Sequence, residues 1–150
     1  MLRYLAIIAL ISVGALFAAS LAYGFFYKGN GDDETVTVER GGSVAYLKGG
    51  DDRFTGAKGK RSGGDHVRGG RGDDLIRTFG RVDVLRGGPG ADDLRGGGGP
   101  DALHGADGPD HLVGGAGVDR FRPGKGHDTC VGKPEDVGFP NRCEVAIVAG

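Results

Sequence analysis

Tryptophan is absent from this chain, and its one methionine is the first residue. Hydrophobic residues fill only 38% of the positions and aromatics 7%. A large conventional core is excluded by that shortage, because burial of apolar surface is the main favourable term in folding. The 33 glycines sharpen the difficulty, since ordering glycine-rich backbone is entropically costly. Glutamate is scarce too, with 4 residues against 16 aspartates. Asp suits turns and ligand positions, whereas Glu suits helix surfaces, so the acids are placed for something other than solubility. Neither charge is in excess: 19 basic and 20 acidic residues leave a formal net charge of −1. No nucleic-acid partner is expected from that balance. The four histidines, His66, His104, His111 and His127, lack any Ser/His/Asp or Cys/His grouping. No enzyme is expected.

The one long apolar stretch is at the N-terminus. Arg3 precedes an uncharged run from Tyr4 to Tyr27, and Ser20-Leu21-Ala22 fits a small-x-small cleavage site. One reading is a signal peptide over residues 1–22. The other is an uncleaved anchor over 4–27, long enough to span a bilayer. Either exports the rest of the chain, to the medium or the cell surface, and only the anchor involves a membrane.

Beyond this stretch the chain is periodic. Written in nines from Gly69, it reads GGRGDDLIR, TFGRVDVLR, GGPGADDLR, GGGGPDALH, GADGPDHLV, GGAGVDRFR and PGKGHDTCV, unbroken to residue 131. Upstream, KRSGGDHVR at 60–68 keeps the phase, and LKGGDDRFT at 47–55 keeps the pattern across a four-residue insertion placed at 56–59. Position six is aspartate in every block: Asp52, Asp65, Asp74, Asp83, Asp92, Asp101, Asp110, Asp119 and Asp128. Position eight is apolar in every block, from Phe54 to Cys130. Six residues of Gly and Asp suit a turn that visits positive φ, and three suit a short strand whose middle side chain points inward. Each nonapeptide is then half a coil. Turns on one side recur every 18 residues, about 4.8 Å apart in space.

These blocks resemble the haemolysin-type calcium-binding repeat, or RTX, family, whose pattern G-G-x-G-x-D-x-U-x is met in full at 87–95 and 114–122. The resemblance covers 47–131. It implies an all-β fold, a right-handed parallel β-roll with short caps, and Ca²⁺ held between stacked turns. The implied ligands are turn carbonyls and the carboxylates of Asp65, Asp74, Asp83, Asp92, Asp101, Asp110, Asp119 and Asp128. Asp52, beyond the insertion, is a weaker candidate. Stacking by 18 gives one column of Asp74, Asp92, Asp110 and Asp128 and another of Asp65, Asp83, Asp101 and Asp119, with at most six full sites. Thr78-Phe79 and Arg81 make the sites at Asp83 doubtful, and Ala106 and Pro123 depart more mildly.

Segments 23–46 and 132–150 read as a linker with an N-terminal cap and as a C-terminal cap. Strands are expected at 34–38, 43–46 and 143–148, with a turn at Gly41-Gly42. A cysteine in the last repeat followed by Cys143-Glu144 looks similar to exported members of the family, which implies a Cys130–Cys143 disulfide. Two free thiols remain the alternative. Arginine recurs at position nine (68, 77, 86, 95 and 122), where it faces outward, on a solubilised sheet face or an anionic-polymer surface. Arg71-Gly72-Asp73 is explained by the repeat. The function expected is calcium binding coupled to folding outside the cell. Its rival is a structural or adhesive module stiffened by calcium, with a protein or polysaccharide partner that is unknown.

Overall fold

The computed structural model describes residues 25–39, 42–58, 63–138 and 143–148. The signal-peptide segment 1–22, most of the alternative anchor, and Gly41 of the expected turn lie outside the described residues. Thirteen strands run in chain order: β1 (Phe25–Lys28), β2 (Thr35–Thr37), β3 (Ser43–Gly49), β4 (Arg53–Thr55), β5 (His66–Arg71), β6 (Leu75–Arg77), β7 (Val84–Pro89), β8 (Asp93–Gly98), β9 (Ala102–Asp107), β10 (His111–Ala116), β11 (Arg120–Lys125), β12 (Thr129–Gly132) and β13 (Val145–Val148). Odd-numbered strands β1 to β11 form one parallel sheet. The even-numbered strands, with β13 beyond β12, form the other. The chain therefore alternates between two faces of a parallel β-solenoid, one nonapeptide to each half-coil.

The eighth position makes the core. Phe54, Val67, Ile76, Leu85, Leu94, Leu103, Leu112, Phe121 and Cys130 are all buried, and like positions pair in register, Leu85 with Leu103 and Ile76 with Leu94. The two sheets thus share a core about one side chain deep from each. Full burial of such a side chain is worth about 1.5–3 kcal/mol, so the interior is a thin ladder. Several strands are longer than three residues. β7 to β11 each run for six, because ladder pairing continues into the first three residues of the next turn.

The repeat continues upstream of residue 47 in the same register. Val36 pairs with Phe54, Ala45 with Val67 and Tyr27 with Ala45, so 29–37 and 38–46 are nonapeptide half-coils with Val36 and Ala45 at position eight. At the C-terminal end Ala146 pairs with Cys130. The insertion lies elsewhere than expected. Gly56 donates its N–H to the Arg77 carbonyl, as Thr78 does to Arg95 one coil on. Gly56 therefore holds position one of its block, and the extra residues lie inside the following turn. A turn can lengthen without disturbing strands that pair on either side of it.

Candidate metal centre

Each position-six aspartate closes a turn and is buried. Its Oδ1 accepts the backbone N–H of the position-six residue one coil earlier. Asp52, Asp74, Asp92 and Asp110 donate to Asp74, Asp92, Asp110 and Asp128 at 3.0, 2.9, 3.0 and 3.0 Å. Asp65, Asp83 and Asp101 donate to Asp83, Asp101 and Asp119 at 2.7, 2.8 and 2.9 Å. The sequence-derived columns are both present. Asp52 is drawn into the first of them, because the insertion is accommodated in a turn.

The other oxygen is the notable one. Oδ2 of Asp52, Asp74, Asp83, Asp92, Asp101, Asp110, Asp119 and Asp128 is buried without a hydrogen-bond partner. In the best-formed turns it lies over the position-one glycine. A Cβ at Gly69 or Gly87 would overlap Oδ2 of Asp74 or Asp92. Burial of an unpaired carboxylate penalises the charged form. Desolvation, partly offset by the backbone N–H bond, pushes Asp52, Asp74 and Asp92 up to about 7, with neighbouring carboxylates adding to the rise. Asp101 rises to about 8 and Asp110 to about 6 from the same leading cause. Asp65, Asp83 and Asp119 are also raised by burial. Among the described residues no ion pair involves a carboxylate of these stacks.

Backbone oxygens supply the rest of the turn's chemistry. The Gly70 carbonyl is directed at Gly88 and the Gly72 carbonyl at Gly90, both at positive φ, and a Cβ on either glycine would overlap that oxygen. Carbonyls of one turn therefore face the next turn. Where the pattern lacks glycine, the backbone keeps the same conformation: Lys48, Arg81 and Ala106 have φ of 83°, 76° and 110°. Arg81 leaves the ladder intact, for Asp83 is fully buried and hydrogen-bonded to both neighbours.

The columns are longer than the aspartate pattern. Glu34 donates its N–H to Oδ1 of Asp52 at 2.7 Å, and its Oε2 is buried without a partner. Ser43 stands before Asp65. Asp136 accepts from Asp119 at 2.8 Å, and Glu144 from Asp128 at 2.6 Å. Eighteen residues separate Glu34 from Asp52, which was a legible signal. Asp136 and Glu144 come 17 and 16 residues after their partners, so a strict period passes over them. Asp136 differs in that its Oδ2 is also occupied, by the Lys133 N–H.

Among the described residues no group of three or more His, Cys, Asp or Glu side chains converges. A soft metal that needs nitrogen or sulfur ligands has no place in these turns. A hard cation does fit, since Ca²⁺ takes six to eight oxygens, backbone carbonyls included, in flexible geometry. His111 lies 3.3 Å from Asp93, which also pairs with Arg95 at 2.7 Å. Cys130 and Cys143 form a disulfide with Cα atoms 5.9 Å apart, tying the last inward position to the start of the final half-coil.

No curated protein and no solved structure matches the chain. The family model for the RTX calcium-binding nonapeptide repeat, four copies long, matches residues 61–94, 82–103 and 95–130. Those are the coils that carry the aspartate columns and the facing turn carbonyls, and residues 61–130 accordingly belong to the RTX calcium-binding nonapeptide repeats.

Proposed function

We propose that the chain is an exported calcium-binding protein whose roll folds as it takes up Ca²⁺. The ligands assigned are Asp65, Asp74, Asp83, Asp92, Asp101, Asp110, Asp119 and Asp128, with Asp52 at the N-terminal end of its column and turn carbonyls completing the shell. The observation that carries this reading is the row of buried Oδ2 atoms without partners. A buried carboxylate in that state either takes up a proton or meets a cation, and a stack of them repels itself until one of these occurs. Ca²⁺ binds only the stacked state and so draws folding by mass action. When bound, the ion supplies neutralising charge and cross-links successive turns. The chain's contribution is to align the oxygens.

Export accords with the disulfide, a bond that persists in oxidising compartments. Cleavage after Ala22 would leave β1 whole, whereas an anchor reaching Tyr27 would take in Phe25–Tyr27 of that strand. Residues 29–46, read from sequence as part of the linker and N-terminal cap 23–46, then serve as the first coil of the roll, and 132–150 acts as the C-terminal cap. On this reading the protein acts by binding.

Circular dichroism of the exported chain in chelator, Mg²⁺ and Ca²⁺ tests the mechanism. A β signal that appears with Ca²⁺ and poorly with Mg²⁺, which demands tight octahedral geometry, is expected. Full β signal and a cooperative melt in chelator would overturn it.

A further inference from the structure

The outer face of the odd-numbered sheet carries a row of arginines that, among the described residues, no acid pairs. Register places Tyr46, Arg68, Arg86, His104 and Arg122 side by side on successive strands β3, β5, β7, β9 and β11. The three arginines are exposed. Beside them, the seventh-position column adds His66 and Arg120, and its other members Val44, Val84 and Ala102 are uncharged. Not one acid stands in either column. Like charges on adjacent strands are destabilising. Among the described residues, Arg68, Arg86 and Arg122 form no ion pair that would relieve it.

The opposite sheet shows the contrast. There Arg95 is held by Asp93, and Arg77 lies 5.0 Å over the Phe79 ring. Arg68 likewise lies 5.7 Å over the Tyr46 ring, so the faces differ in ion pairing: Arg95 meets an acid, and among the described residues Arg68, Arg86 and Arg122 do not.

We infer that this column is a binding strip for a single extended anionic polysaccharide, one carrying a carboxylate on its sugar rings, lying along the axis of the roll. Three observations select that occupant. Arg68 and Arg86 stand one strand spacing apart, about 4.8 Å, with Arg122 two spacings further on past His104, and each guanidinium can grip a carboxylate through two parallel N–H bonds. The strip is two side chains wide per strand, and the turns on its ninth-position side are mixed in charge, with exposed Asp51 and Asp73 beside exposed Lys48 and Arg71, so the unbroken cationic surface is narrow. At its N-terminal end, exposed Phe26 and Tyr46 lie together, ring centroids 6.0 Å apart. They offer apolar faces to the apolar side of a sugar, and an open pocket lined by Tyr46, His66, Arg68, Val84 and Arg86 adjoins them directly.

The test is binding of a polygalacturonate oligomer to the calcium-loaded full chain, followed by calorimetry at two salt concentrations. Dextran of equal length, a single-stranded oligonucleotide of equal charge and anionic phospholipid vesicles serve as competitors. Polygalacturonate should bind, and more weakly at higher salt. Arg68→Gln with Arg86→Gln should lower affinity at least tenfold at an unchanged Ca²⁺ midpoint, and Arg95→Gln on the other sheet should leave it unchanged. The proposal is overturned if dextran binds as well, if the oligonucleotide or the vesicles bind more tightly, or if Arg95→Gln matches the double variant. Should the double variant fail to fold, the competition and salt dependence of the unaltered chain decide. Failure of calcium-dependent folding would be seen separately, in the dichroism spectrum before any polymer is added.

Discussion

The backbone N–H of Asp74 donates to Oδ1 of Asp92, one coil further along the chain, at 2.9 Å, while Oδ2 of Asp92 is left buried and unpartnered. One carboxylate therefore has two separable duties. Oδ1 holds two turns in register, and the charge awaits a cation.

Substitutions at this position should separate those duties. Asp92→Asn keeps an oxygen for the Asp74 N–H and removes the charge. In chelator it should make the roll more stable than the unaltered chain, and it should raise the Ca²⁺ midpoint. Asp92→Ala also removes the acceptor and strands a buried N–H, at a cost of about 1–3 kcal/mol. It should weaken the roll with or without calcium. Either change should shift the midpoint more than the same change at Asp52, which stands nearer the end of the column. Dichroism-monitored calcium titration of the four variants checks this order. An Asn variant no more stable in chelator would show that the buried charge is not what holds the ion-free chain open.

The raised carboxylates fix the sign of the pH dependence. Asp52, Asp74 and Asp92 titrate near 7 when folded, against an ordinary value of 3.8. The folded, ion-free roll therefore holds protons that the unfolded chain has released. Stability from this source is fully present below about pH 4 and falls as pH rises through about 7. Chelated protein should resist urea better at pH 5 than at pH 8. Calcium needs the ionised form, so its midpoint should drop over the same interval and the order of stability should reverse in saturating Ca²⁺. Urea titrations at both pH values, in chelator and in calcium, give the comparison. Equal stability in chelator would contradict the burial argument.

Glu34 repeats the Asp92 arrangement at the N-terminal end of the column, with its N–H on Asp52 and Oε2 buried and unpartnered. It should therefore support one more bound ion than the nine aspartates do. Glu34→Gln is expected to lower calcium stoichiometry by one in equilibrium dialysis, with the β signal retained. Unchanged stoichiometry would mean that Glu34 only caps the ladder.

Arg81 sits at the position-four turn site with φ of 76°, where a side chain crowds its own carbonyl. The left-handed conformation costs a residue with a Cβ about 1–2 kcal/mol, of which glycine's extra unfolded-state entropy offsets a part. Arg81→Gly should raise the midpoint of thermal unfolding in calcium, by about 0.5–1 kcal/mol of stability. Gly90→Ala is the converse, since its Cβ would overlap the Gly72 carbonyl as well as occupy positive φ. It should lower the midpoint. Differential scanning calorimetry on both variants distinguishes backbone strain from loss of the arginine charge, which Arg81→Gln would reproduce without relief.

The half-coil period, the inward row from Phe54 to Cys130, the two aspartate columns and the outward arginines were determined by the sequence alone. Strict spacing maps directly onto a parallel ladder, because each strand's neighbour lies 18 residues away and every side chain alternates faces. Tertiary structure decided what breaks or exceeds that spacing. Glu34 keeps the 18-residue spacing and was legible once glutamate is admitted, but Ser43, Asp136 and Glu144 stand 22, 17 and 16 residues from their partners, so only pairing in space reveals their places. Gly56 takes position one because hydrogen bonding to Arg77 selects it, while the extra residues are displaced into the turn. Nor does spacing tell which oxygen of an aspartate is satisfied or which arginine meets a counter-charge. Those depend on burial and on neighbours across the sheet, and at Asp92 and Arg86 it is the unsatisfied group that points to a ligand.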